Sequence, residues 1–279
     1  MSCESLTLNE PYSRGATELP PGASISDIFR NENQMHSIDS SFLASDNNGL
    51  TALKSQLDAV MIAMGEEDAA HDISHLRRVA STAIKIGAAE SANLSVLTAA
   101  AYFHDLVNRP KNAPDRHRAS TLSARRAVEI LKAKFPSFPA SEHGAVAHAV
   151  EAHSFSAGIA PVTIEAKVLQ DADRLEALGA IGIARVFYIA GRLGQSLFDG
   201  CDPLAARRDL DDKKFALDHF RVKLMHLHES MQTDTGKQLA LENTRYLVNF
   251  VAKLVNECKG EMIGFDSASL ELLDLRSPT

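Results

Sequence analysis

The sequence of 279 residues contains no tryptophan, and aromatic residues make up only 6% of it. So few aromatic residues disfavour recognition by rows of stacked rings. Val, Ile and Thr alternate with polar residues nowhere long enough to indicate a β-sheet, whereas stretches rich in Ala and Leu favour helix. We therefore expect an all-α protein with a well-buried core, which this length permits.

Cysteines are also few, and long apolar runs are missing. The cysteines Cys3, Cys201 and Cys258 are odd in number and far apart, so they provide neither a framework of several disulfides nor a CxxC zinc knuckle. No stretch reaches 18 uninterrupted apolar residues, and the N-terminus lacks the basic start and apolar core of a secretory signal. These absences predict a cytoplasmic protein that does not bind membranes.

Basic residues are outnumbered by acidic ones, 29 against 36, which gives a net charge of −7. A field of this sign repels a phosphate backbone, so stable nucleic-acid binding is not expected. A small basic pocket for a single charged molecule is still compatible with this charge.

Composition and periodicity divide the chain into three parts. Residues 1–50 are rich in Pro, Ser, Asn and Asp and lack periodicity, which predicts a flexible N-terminal extension. Residues 51–260 carry apolar residues at helical spacing, which predicts one helical domain. Residues 261–279 are predicted to form a peripheral C-terminal tail.

The helical pattern has a wholly apolar segment near its centre. Residues 94–106 are apolar on almost every side, as is typical of a helix in the middle of a bundle. We expect the other helices at about 51–65, 72–88, 117–134, 141–153, 164 onwards with breaks at Gly179, Gly182 and Gly191, 213–231 and 235–258.

A charged pair, His104-Asp105, ends this apolar segment. A carboxylate in such surroundings is costly unless it is neutralised. Asp105 could pair with Arg109, cap a turn or bind a metal ion together with His104. His75, beside the buried side of its helix, and Asp173, beside the buried line of another, favour the third reading. Neutral imidazoles and carboxylates suit a divalent ion with open water positions.

These segments resemble the HD-domain superfamily of metal-dependent phosphohydrolases, whose pattern is H…HD…D. The similarity spans roughly residues 55–257 and is greatest to a bacterial branch, the YpgQ/YedJ-type proteins, which includes nucleotide pyrophosphohydrolases. The strings that carry it are HDISHLRRV, AAAYFHDLVNRPKNAPDRHRAS, EAHSFSAG, KVLQDADRLEALGAIGIARVF and TGKQLALENTRYLVNF.

The resemblance implies an HD-type helical bundle with one buried metal ion held by His75, His104, Asp105 and Asp173. Mn²⁺ is the expected ion, with Mg²⁺, Co²⁺ and Ni²⁺ as alternatives, and its open positions would hold a water molecule and a phosphate oxygen. Asp171 is the rival of Asp173, and it could instead orient a ligand histidine or face water. Asp105 and His153 are the expected catalytic residues, His153 as a phosphate contact or proton donor.

Substrate-binding residues are expected near a basic island that follows the His-Asp pair, with Arg109, Lys111, Arg116, Arg118, Arg125 and Arg126. Within it Lys111 and Arg116 are the candidates for phosphate contact, because Pro110 and Pro114 stiffen that loop. His153 and Arg174 complete the predicted substrate-binding set. His219, His226 and His228 are expected to be structural.

The function that these observations favour is hydrolysis of a nucleoside triphosphate to the monophosphate and pyrophosphate by metal-activated water. A nucleoside monophosphate phosphatase or a cyclic phosphodiesterase is the alternative. A di-iron oxygenase of the same fold would need further ligands between Asp105 and Asp173, which His143, His148 and His153 do not supply at their spacing of five residues. A non-catalytic nucleotide-binding protein is the fourth possibility. The oligomeric state is left open between a monomer and a homodimer.

Overall fold

A computed structural model describes residues 47–65, 73–107 and 115–273 of the chain. These residues contain helices and no β-strand, so the prediction of an all-α fold is confirmed. The helices are α1 Asn47–Met64, α2 Ile73–Ala89, α3 Leu94–Phe103, α4 Ala119–Lys134, α5 His143–Ala152, α6 Ile164–Leu175, α7 Gly179–Arg192, α8 Asp218–Val222, α9 Asp234–Cys258 and α10 Ser267–Leu272. Short 3₁₀ segments cover Arg116–Arg118, Ala140–Glu142, Phe155–Ala157 and Leu224–Ser230.

Helix α3 is the centre of the bundle. Every residue from Val96 to Phe103 is buried, and helices α1, α2, α5 and α6 pack around it. The side chain of Asn93 begins the helix by accepting hydrogen bonds from the backbone N–H groups of Ser95 and Val96. Because α3 ends at Phe103, the residues that follow it are delivered into the interior of the bundle.

Helix α6 is fastened to the start of α9 by a buried aspartate. The carboxylate of Asp171 accepts hydrogen bonds from the backbone N–H of Gln232 at 2.8 Å, and from the backbone N–H and hydroxyl of Thr233 at 2.9 and 2.7 Å. Thr233 is the residue that caps α9. Gly236 is required here, since a Cβ atom at that position would lie 2.3 Å from Asp171 Oδ2.

The prediction of one helix over residues 213–231 is wrong. Residues 213–217 are not helical, and the residues after them form a short α-helix and a separate 3₁₀ segment. Residues 212–217 instead form turns around an isolated β-bridge between Phe215 and Ser196, and Ser196 and Leu197 exchange backbone hydrogen bonds with Lys214, Ala216 and Leu217. Helix α8 therefore begins only at Asp218. It ends at Val222, and a 3₁₀ segment follows from Leu224 to Ser230.

Beyond Gly260 the chain forms α10, which packs against α9. Asp266 caps α10 by accepting hydrogen bonds from the backbone N–H and hydroxyl of Ser269, and Leu273 is buried. The division of the chain at residues 50 and 260 stays a prediction. None of the described helices combines the length and apolar character that crossing a membrane requires.

We predict that Asp171→Ala lowers the free energy of unfolding by about 2–4 kcal/mol, because the buried N–H of Thr233 and the part-buried N–H of Gln232 lose their acceptor. Denaturant unfolding measures this loss. Asp212→Ala is the matched control: Asp212 forms a partly exposed pair with His219, so its removal should cost less than about 1 kcal/mol. A loss at Asp171 no larger than that of the control would contradict the structural role.

Candidate metal centre

Two histidines at the ends of helices point the same ring nitrogen towards one place. His104 follows α3 and donates from Nδ1 to the carbonyl of Ala101 at 2.7 Å, and His153 follows α5 and donates from Nδ1 to the carbonyl of Val150 at 2.6 Å. A carbonyl oxygen only accepts, so both rings carry a proton on Nδ1. Burial lowers the pKa of His104. In the neutral ring that results, Nε2 offers a lone pair.

A third histidine, His75 in the first turn of α2, is oriented by Glu176. His75 Nδ1 lies 3.3 Å from Glu176 Oε2, and Arg78 donates to the same carboxylate at 3.0 and 2.8 Å. Burial acts to raise the pKa of Glu176, but the hydrogen bonds from His75 and Arg78 outweigh it and lower that pKa to about 2. Glu176 is therefore a carboxylate that accepts the His75 Nδ1 proton.

The structure places the four predicted ligands in two overlapping groups of three that share His104: His75, His104 and Asp173 form one, and His104, Asp105 and His153 form the other. His75 Nε2 and His104 Nε2 are 3.3 Å apart, and Asp173 Oδ1 lies 3.7 Å from each of them. Asp105 Oδ2 is 3.5 Å from His104 Nε2. Donors about 2.1 Å from one cation lie about 3.0–3.4 Å apart at angles between square and tetrahedral. The two imidazole nitrogens stand at this spacing, whereas the carboxylate oxygens, at 3.5 and 3.7 Å from them, lie slightly beyond it.

His153 forms a second group with two of these residues. Its Nε2 lies 3.5 Å from Asp105 Oδ1, and the ring of His153 meets that of His104 edge-on at 4.9 Å between centroids. Burial acts to lower the pKa of His153, but the adjacent Asp105 carboxylate outweighs it, so this pKa is raised. His153 therefore takes up a proton more readily than His104 does.

The other histidines of that region are used elsewhere. His143 stacks on Phe138 with ring centroids 6.0 Å apart, and His148 Nε2 accepts a hydrogen bond from the backbone N–H of Val162. In the described ranges, the only two groups able to hold an ion share His104. The described residues thus give no support for a second, separate metal set.

Of the two rival aspartates, Asp173 reaches the cluster and Asp171 does not. The carboxylate of Asp171 accepts hydrogen bonds from Gln232 and Thr233 instead. It neither orients a ligand histidine nor faces water, as the sequence had suggested it could. Glu176 has the orienting role, which sequence analysis missed. The signal was present as a carboxylate one helical turn after Asp173.

The cluster opens into a cavity of about 680 Å³ with cationic walls. Three predicted substrate-binding residues, Arg116, His153 and Arg174, line it. Lys111 and Arg109 lie outside the described residues. Sequence analysis assigned no substrate role to four further lining residues: Phe155, Arg185, Lys223 and His226. His226, expected to be structural, also pairs with Glu229.

On the described cavity wall, the acidic side chains lie at the metal cluster and the basic side chains line the rest. Four permanently cationic side chains line it: Arg116, Arg174, Arg185 and Lys223. The described lining contains three carboxylates, Asp105, Asp173 and Glu176, all of which belong to the cluster or hold His75. A protein with a net charge of −7 therefore has a local cavity suited to an anion that also contacts a cation.

We predict that Glu176→Gln weakens divalent-metal binding by about 10- to 100-fold, because the amide holds the His75 proton less strongly than a carboxylate does. Titration of metal-free protein with Mn²⁺, followed by calorimetry, measures the affinity. Glu242→Gln is the control, since Glu242 forms an exposed pair with Arg245 on α9. Equal affinities of the two variants would show that Glu176 does not support the site.

Comparison with known proteins agrees with this arrangement. The HD domain family matches residues 72–178, which include all four predicted ligands. The YpgQ protein of Bacillus subtilis is 34% identical over 201 residues, which cover 70% of this chain and 88% of YpgQ.

Solved structures extend the similarity to the fold. A crystal structure of B. subtilis YpgQ in complex with ADP has a TM-score of 0.55 at 28% identity, covering 78% of this chain and 99% of that one. An HD-superfamily hydrolase from Bacillus thuringiensis has a TM-score of 0.58 at 28% identity, covering 75% and 98%. With its helical bundle and its His/Asp group capable of holding a metal, the chain belongs to the HD-domain family and is YpgQ-like.

Proposed function

We propose that this HD-family hydrolase is a nucleotide pyrophosphohydrolase, which cleaves nucleoside triphosphates between the α and β phosphates. The observation that carries the proposal is the buried His/Asp cluster at the end of a cavity with four cationic side chains. The YpgQ complex with ADP supports a nucleotide as the ligand. A volume of about 680 Å³ falls within the usual range for sites that bind small molecules.

Four side chains would hold the divalent ion: His75, His104, Asp105 and Asp173. Two nitrogen and two oxygen donors with open positions suit Mn²⁺, and also Mg²⁺, Co²⁺ or Ni²⁺. When bound, such an ion supplies Lewis acidity that lowers the pKa of water and polarises a phosphoryl oxygen. The chain's own contribution is to fix the donors in place: the Ala101 carbonyl holds the ring of His104, and Glu176 holds that of His75.

The cavity side chains position the phosphates in this account. Arg116 and Arg174 are planar forks that can bind two phosphate oxygens at once, whereas Lys223 acts as a point charge. Arg174 is itself anchored, since it donates to the carbonyl of Ser230. Placed cations of this kind lower the barrier by stabilising the charge that develops on the leaving pyrophosphate.

His153 is proposed to contact the leaving pyrophosphate or to donate a proton to it. Its Nδ1 proton is committed to the Val150 carbonyl, and its Nε2 lies beside Asp105 in the cavity wall. A second proton on Nε2 would allow His153 to contact a phosphate oxygen or to donate to it. Asp105 lies between the two rings, 3.5 Å from Nε2 of each, and would accept the hydrogen bond from a proton on His153 Nε2.

The products distinguish this reaction from the other hydrolytic ones. Full-length protein loaded with Mn²⁺ should convert a (d)NTP to the monophosphate and pyrophosphate, and chromatography with separate phosphate and pyrophosphate assays measures both. Release of inorganic phosphate from nucleoside monophosphates, or opening of cyclic phosphodiesters, would replace the proposal by one of its alternatives. With Mn²⁺ bound, no turnover of any nucleotide would refute it.

The compartment and the oligomeric state complete the proposal. We propose that the enzyme acts in the cytoplasm on free nucleotides, alone or as a homodimer. The net charge of −7 keeps nucleic acid outside the proposed set of substrates.

A further inference from the structure

The 3₁₀ segment Phe155–Ala157 presents an aromatic ring to the cavity. Phe155 is 85% exposed although it lines the cavity together with His153 and Arg174. Single exposed apolar residues on a convex surface are ordinary. A phenyl ring on the wall of a cationic cavity is different, because the cavity offers it no apolar partner of comparable size among the described lining residues.

The Arg174 guanidinium beside the ring indicates which kind of ligand could bind there. The guanidinium of Arg174 lies 6.0 Å from the centroid of Phe155, within range of a cation–π contact. Arg174 also donates to Ser230 in the 3₁₀ segment Leu224–Ser230, whose Leu227 lines the same cavity. A flat molecule would therefore stack on the face of Phe155 opposite the Arg174 guanidinium.

Phe155 lies close along the chain to the residues of the metal cluster. Phe155 is two residues from His153, so their Cα atoms are at most about 7 Å apart. His153 in turn lies 3.5 Å from Asp105. A phosphate next to His153 and a base next to Phe155 would be joined by the ribose of a single nucleotide.

We propose that Phe155 is the stacking platform for the nucleobase. This inference rests on the proposed function, and it specifies that the base is held by its face. A base stacked on an aromatic side chain contributes about 5- to 150-fold in affinity. The platform gives the cationic cavity a preference for nucleotides over phosphates that carry no base.

The test compares ADP binding to three variants by calorimetry on full-length protein in the presence of Mn²⁺. Phe155→Ala and Phe155→Leu should weaken the ADP affinity by about 5-fold or more, since neither has a ring. Phe155→Tyr keeps the ring and should stay within about twofold of the wild type. Ile263→Ala is the control, since Ile263 is equally exposed and does not line the cavity.

The Mn²⁺ content and Tm of each variant show whether a loss of ADP affinity comes from lost stacking or from damage to the metal cluster. Weaker ADP binding with unchanged Mn²⁺ content and Tm supports the platform. Unchanged ADP affinity in Phe155→Ala, equal affinity of the Leu and Tyr variants, or a parallel loss of Mn²⁺ would overturn it. Because ADP binding needs no turnover, a wild type that hydrolyses no nucleotide refutes the proposed function and leaves this test intact.

Discussion

Two imidazole nitrogens approach each other closely in the interior of the bundle, and this approach calls for a cation. The Nε2 atoms of His75 and His104 are 3.3 Å apart in the interior. Their Nδ1 protons are committed to Glu176 and to the Ala101 carbonyl. In the neutral rings, two lone pairs therefore face each other, an arrangement that is unfavourable unless a cation lies between them. The carboxylate of Asp173, 3.7 Å from both nitrogens, adds to the attraction for a cation.

Several elements of the fold maintain this arrangement. The apolar helix α3 is packed on all sides. Its C-terminal end therefore holds His104 and Asp105 in fixed positions. Helix α6 carries Asp173, and the hydrogen bonds of Asp171 fix α6 to the start of α9. The same helix positions Arg174 at the cavity wall. Asp171 and Asp173 of α6 thus have separate tasks, the first in the fold and the second in the site.

The sequence allowed most helices and the members of the His/Asp cluster to be predicted, because both depend on local signals. Apolar spacing determined α3 and α9, and the H…HD…D pattern with its flanking strings identified His75, His104, Asp105 and Asp173. The role of Glu176 escaped prediction, since it depends on contact with His75 and Arg78 about 100 residues earlier. Lys223 lines the cavity just after α8, which begins only at Asp218, beyond the turns that are hydrogen-bonded to Ser196 and Leu197. Helical periodicity carries no information about such a distant backbone contact.

We propose that one divalent ion joins these four side chains, and anomalous diffraction at the Mn absorption edge would locate it. Crystals of the full-length protein grown with Mn²⁺ should show a single strong anomalous peak. We expect it about 2.0–2.3 Å from Nε2 of His75, Nε2 of His104 and one carboxylate oxygen each of Asp105 and Asp173. Crystals without a peak at this position, or with an ion that leaves His75 and His104 uncoordinated, would contradict the account.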